Sequence, residues 1–175
     1  MERKNGIATD QHILQHLHTL RKNIVRHHNL TNLSEFVLHD LCTGPCFHVN
    51  KAAYFINNPD FKFLRGVAGY SEKESCSLSN VWENQKDFIS FMQSSKFNQK
   101  VRTSHHDYFH TPSEINDVLI KQFADELEIE KPAYHVWDLK HDNHGILIYE
   151  SMPEAPQAAH THLDSLYYLG FCPVY

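Results

Sequence analysis

Two aromatic, apolar runs, each folded around a cluster of turn residues, constrain this chain more than anything else in it. Val49 to Ile56 is apolar and aromatic, Asn57-Asn58-Pro59-Asp60 follows, and Phe61 to Tyr70 resumes the pattern. Asn and Asp bend a chain by bonding their own backbone, and Pro presets φ, so the stretch reads as a β-hairpin. Ala133 to Leu139 and Ile146 to Tyr149, around His141-Asp142-Asn143-His144-Gly145, form a second one. Two ribbons of this kind need a sheet to join and helices to cover it.

The helices are visible on either side. Asp10 is a suitable N-cap for an amphipathic helix to about His28, with Ile13, Leu14, Leu17, Leu20, Ile24 and Val25 at helical spacing. Thr31 is placed to cap a second helix carrying Leu33, Phe36, Val37 and Leu41, which Gly44-Pro45 must end. Val81, Trp82, Phe88, Ile89 and Met92 suggest a third. Ser94 to Phe109 shows no clear period. Thr111-Pro112-Ser113-Glu114 has the form of a capping box with Pro in the first turn, and Ile115, Val118, Leu119, Phe123 and Leu127 extend a helix from it to Lys131-Pro132. Gln157 to Leu169 carries a last helical pattern. Nothing repeats and no linker divides the chain, so residues 1–175 are expected to form one α+β domain. It comprises an antiparallel sheet flanked by helices, with N-terminal helices over about 10–42.

Composition bounds the function. At 175 residues, 41% hydrophobic and 21% charged, the chain can bury a core without staples. A net charge of −5 lacks the basic field that nonspecific nucleic-acid binding requires. No apolar run reaches the roughly 18 residues that cross a bilayer, which argues against a membrane partner. The polar start, Met1-Glu2-Arg3-Lys4-Asn5, is unlike a signal peptide, so a cytoplasmic setting with reduced thiols is expected for Cys42, Cys46, Cys76 and Cys172. Neither a GxGxxG nor a GxxxxGK[ST] phosphate loop occurs.

Leu33 to Cys42, then Asn50-Lys51-Ala52-Ala53-Tyr54-Phe55-Ile56, the Asn-Asn-Pro-Asp turn and Leu64-Arg65-Gly66-Val67-Ala68-Gly69-Tyr70-Ser71 together resemble the opening of GAF domains. The second hairpin, with Gly145-Ile146-Leu147, resembles the later hairpin of that family. The two pieces span about a third of the chain. The resemblance implies a GAF/PAS-like sheet with helices on one face and a ligand pocket on the other. It also implies a sensory or regulatory role, binding a small organic molecule without catalysis and signalling to a downstream protein or through a homodimer. The residues available to line such a pocket are Tyr54, Phe63, Arg65, Tyr70, Trp82, His135 and Trp137, aromatic walls with a few polar groups.

Three other chemistries compete. His39, Cys42, Cys46 and His48 supply two thiols and two imidazoles within ten residues, a donor set suited to zinc. Those cysteines also resemble a thioredoxin centre, but three residues separate them and Cys42 closes a helix, where the dipole disfavours a thiolate. His105, His106, His110, His160 and His162 form a second possible metal or enzyme set in a chain with fifteen histidines. An interaction module that holds no ligand is the remaining alternative.

Overall fold

The computed structural model describes residues 10–74 and 76–152. Its five strands form one antiparallel sheet in the order β3-β2-β1-β5-β4: β1 (Val49–Asn58), β2 (Phe63–Ser71), β3 (His105–His106), β4 (Pro132–Asp138) and β5 (His144–Ser151). Both hairpins read from the sequence are present, and β1 joins them by pairing with β2 on one side and β5 on the other. The turns use the residues that the sequence offered. The Asn58 side chain accepts from the Phe61 amide at 2.9 Å. In the second hairpin, His141 and Asp142 both take positive φ, as a twist-matched two-residue turn requires.

Among the described residues, five helices surround this sheet: α1 (Asp10–Arg26), α2 (Leu33–Thr43), α3 (Gln85–Ser94), α4 (Lys96–Thr103) and α5 (Asp117–Glu126). None of the described helices is long and apolar enough to cross a membrane. α1 turns Ile13, Leu17, Leu20 and Ile24 inward. Leu14 and Val25, also expected inside, are 54% and 72% exposed because they lie off that four-residue stripe. α2 is buried nearly all round, from Leu33 to Cys42, because it lies between α1 and the β1–β2 ribbon.

Several boundaries differ from the sequence reading; α3 begins at Gln85 and leaves Val81 and Trp82 in the turn before it, and α5 ends at Glu126 rather than at Lys131-Pro132. Asn32, not Thr31, precedes α2. The aperiodic stretch contains α4, whose apolar stripe is only Phe97 and Val101 and therefore too short to register as a period. The capping box at Thr111–Glu114 forms, with Glu114 Oε1 3.0 Å from the Thr111 amide. It caps a single 3₁₀ turn, however, and Asn116 caps α5 separately through the Leu119 amide at 3.1 Å. Val118 consequently faces solvent at 71% exposure.

The sheet carries apolar layers on both faces. Tyr54, Ala68, Tyr70, Leu147 and Tyr149 pack with α1, α2 and α3. Ala53, Phe55, Leu64, Ile146 and Ile148 pack with Phe97, Val101, Phe109 and α5. The resemblance implied a hollow second face; here α4, α5 and the intervening segment cover it. Asn57, fully buried, fastens that segment by exchanging hydrogen bonds with the Phe109 amide (2.8 Å) and carbonyl (2.9 Å).

α4 also closes the open edge of β2. The Gly69 amide donates to Asn98 Oδ1 at 2.9 Å, and the Gly66 amide to the Ser104 carbonyl at 3.2 Å. A Cβ on Gly66 would lie 1.9 Å from the Val101 carbonyl oxygen, and one on Gly69 2.6 Å from a Val101 methyl. The glycines are thus set by helix approach, since neither has positive φ. Covering the edge satisfies backbone groups that would otherwise invite pairing with another chain.

Candidate functional site at the α5–β4 turn

β1 is a central, largely apolar strand that carries one charged residue, Lys51. Strand alternation turns Lys51 toward the face that α4 and α5 cover, together with Ala53 and Phe55, and leaves it 7% exposed. An ammonium in such a place needs acceptors or compensating charge. Lys51 Nζ donates to the backbone carbonyl of Glu128 and lies 5.8 Å from the centre of the Phe97 ring.

Glu128 belongs to the turn between α5 and β4. Two of its non-glycine residues, Glu128 and Lys131, have positive φ (56° and 48°). Such conformations are costly and persist where surrounding contacts hold them. Several contacts do so here. Lys100 of α4 pairs with Glu128 Oε1 at 2.8 Å, and Glu150 Oε2 of β5 accepts the Glu130 amide at 2.7 Å. The Glu128 carboxyl is held below its ordinary range, first by the hydrogen bond and charge of Lys100, with smaller contributions from Lys51 and Lys73.

Two open clefts flank this turn and share Glu128 as a wall. The larger, about 610 Å³, lies between α5 and the start of β4; Ile120, Ala124, Ile129 and Pro132 form its apolar part, and Asp117, Asp125, Glu130 and Lys131 stand around it. At its wall the Tyr134 hydroxyl donates to Asp117 Oδ1 at 3.3 Å, and burial raises the Tyr134 pKa, with the Asp117 charge adding to the effect. The smaller, about 320 Å³, is lined by Lys51, Lys73, Lys96, Lys100, Glu74, Phe97 and Glu128, among others. Glu74 Oε1 accepts the Phe97 amide at 3.0 Å, in the first turn of α4.

The seven pocket residues named from the sequence line neither of these two clefts. Strand parity, open in the sequence, places Tyr54, Phe63, Arg65, Tyr70, His135 and Trp137 on the face opposite Lys51. Tyr54, Tyr70 and Trp137 are core residues there. Burial is the main force lifting the Tyr70 phenol to about 12. Arg65 stacks over Phe63 at 5.1 Å. His135 lies parallel to Tyr149, with ring centres 5.7 Å apart and a 3.2 Å contact to its hydroxyl. Trp82 is separate from these: it packs on Phe36 and His27 and donates to Asp40 Oδ2 at 2.9 Å.

The zinc set does not assemble. His39 is enclosed by the rings of Tyr70 and Phe88. Cys42 and Cys46 are buried, and burial pushes both thiols up, Cys42 well up, which keeps them protonated and poor ligands or nucleophiles. His48 begins the turn into β1 with a φ of 52°. Among the described residues, no three His, Cys, Asp or Glu side chains gather where they could hold a metal ion. In the later histidine set, His105 and His110 are exposed, and His106 packs on Phe123 with ring centres 4.0 Å apart and a 32° tilt. His160 and His162, with the last helix expected at Gln157–Leu169, lie outside the described residues.

Sequence reading overlooked Lys51, although its signal was present: a lone cation within Val49-Asn50-Lys51-Ala52-Ala53 of a central strand. Lys73, Lys96 and Lys100 carry no such local mark, since each sits on a polar surface element. The chain matches no family model, no curated protein and no solved structure.

Proposed function

We propose that this chain is a small-molecule-binding regulatory domain that performs no chemistry of its own. One observation carries the reading: the strained α5–β4 turn, held by Lys51, Lys100 and Glu150, forms the common wall of two clefts. A guest in either cleft would contact α5 or α4 and the turn at once, and so change how firmly α4 and α5 are tied to the sheet. That change would be passed to a downstream protein or a second copy. The protonated, buried thiols support the non-catalytic part. A cytoplasmic setting fits the free state of Cys42, Cys46 and Cys76. The GAF-like relation belongs to the same proposal, supported by two hairpins sharing one antiparallel sheet.

The test is a thermal-shift screen of the full chain against a metabolite collection. A true ligand at a hundredfold excess over Kd stabilises by about 2.7 kcal/mol. Its response should weaken in Lys131→Gly, which relaxes the turn, or in Glu128→Gln, which removes the Lys100 ion pair. A screen with no saturable response ends the ligand-binding reading.

A further inference from the structure

We infer that the smaller cleft binds a phosphate dianion, as the free ion or as the phosphomonoester end of a small metabolite. The inference deepens the proposed ligand-binding function and depends on it.

The cleft gathers cations out of proportion to the chain. The whole sequence carries a net charge of −5, yet four lysines and two glutamates line this one space, leaving two positive charges. The glutamates are already engaged. Glu128 is paired with Lys100, and Glu74 accepts the Phe97 amide. Lys73 and Lys96 have no carboxylate within 4.0 Å among the described residues, and their side chains are exposed at the mouth. Lys51 forms the floor. Its burial leaves it unable to reach bulk water freely, and a carbonyl takes one of its three N–H donors. Lys100 chiefly, with smaller contributions from Lys51 and Lys73, lowers the pKa of the Glu128 carboxyl beside them.

The chemistry of the guest follows from this arrangement. Two uncompensated charges match a dianion. Ammonium groups converging from β1, the turn after β2, and α4 suit a tetrahedral oxyanion, which accepts point donors from several directions, whereas a planar carboxylate favours the fork of an arginine. Among the described residues, no arginine lines the cleft. Phe97 and Leu127 give it one apolar wall, against which the carbon skeleton of a phosphomonoester could lie.

The experiment measures the melting temperature and amide NMR shifts of the full chain during titration with sodium phosphate, chloride being reduced to hold ionic strength constant. Parallel titrations use succinate and a phosphomonoester, glycerol 3-phosphate. The expected result is a saturable shift at Ser71, Lys73, Phe97 and Lys100 with phosphate or the phosphomonoester. The apparent Kd should rise at least tenfold in K73Q/K96Q, whose exposed side chains make no ion pair and whose fold is therefore retained. Tighter binding of the phosphomonoester identifies it as the better guest; equal binding identifies the free ion. The inference is overturned if phosphate gives no saturable response, if K73Q/K96Q responds like the parent, or if succinate binds as tightly. A ligand from the metabolite screen that carries no anionic group and ignores K73Q/K96Q would leave the regulatory reading standing and remove only this one.

Discussion

Removing the Asn98 side chain should be among the most damaging single changes in this protein. Asn98 is 1% exposed and joins three parts of the fold. Its carbonyl accepts the Gly69 amide at 2.9 Å, and its amide donates to Glu35 Oε1 at 2.8 Å and to the Met92 carbonyl at 2.9 Å. Asn98→Ala deletes two neutral bonds worth about 1 kcal/mol each and one to a carboxylate worth about 2 kcal/mol, leaving buried partners unmatched. The expected loss is about 4 kcal/mol, or roughly 10 °C in Tm for a chain of this size. Urea unfolding followed by circular dichroism measures it directly. Asn98→Asp sharpens the test. It keeps the acceptor for Gly69 but sets a second carboxylate beside Glu35, which among the described residues is paired with one cation, Arg102 at 3.0 Å. Two carboxyls so close raise the folded-state pKa of the pair above its unfolded value. The deficit of the Asp variant should therefore be full at neutral pH and shrink as pH falls toward 4. A cost under 1 kcal/mol for Asn98→Ala, or a pH-independent deficit for Asn98→Asp, would refute the hub assigned to this residue.

Gly66→Ala should cost about 3 kcal/mol or block folding, because its Cβ meets the Val101 backbone. Gly145→Ala meets side chains and no backbone, the Tyr54 hydroxyl at 2.9 Å and ring at 3.2 Å and the Trp137 ring at 3.5 Å, and should cost less; comparing the two melting temperatures checks the difference. His106 has a pKa lowered from 6.5, chiefly by burial. Its stabilising contribution is present above that value and is lost as pH falls through the folded pKa, so His106→Gln should flatten the stability profile as pH falls below 6.5. Tyr70 titrates near 12 against an ordinary 10, so its contribution is intact below pH 10 and lost as pH rises toward 12. Tyr70→Phe should remove that alkaline step, and phenolate absorbance should show one late-titrating tyrosine fewer.

Much of the framework was legible because its causes are local. The turn clusters at Asn57–Asp60 and His141–Gly145 act within a few residues, and alternation marks the strands beside them. α1 and α2 announce themselves by apolar spacing. The site was not legible in the same way. Of the residues named as pocket walls, Tyr54, Tyr70 and Trp137 are core, whereas Phe63, Arg65 and His135 on the same sheet face are half-buried. α4 was invisible because its two buried apolar residues, Phe97 and Val101, are too few to make a period, although the glycines that admit it, Gly66 and Gly69, stood in plain view.

Taken alone, the chain's order of residues determined two β-ribbons, two leading helices and a net acidic charge. Each of these follows from neighbours within one or two turns of chain. Only the folded arrangement decided which face of β1 carries Lys51, that Asn98 meets Glu35 across 63 positions, and that Lys73, Lys96 and Lys100 surround one cleft. Those outcomes depend on how layers stack and on which edge a helix closes. Such contacts between distant segments leave no periodic trace in the segments themselves.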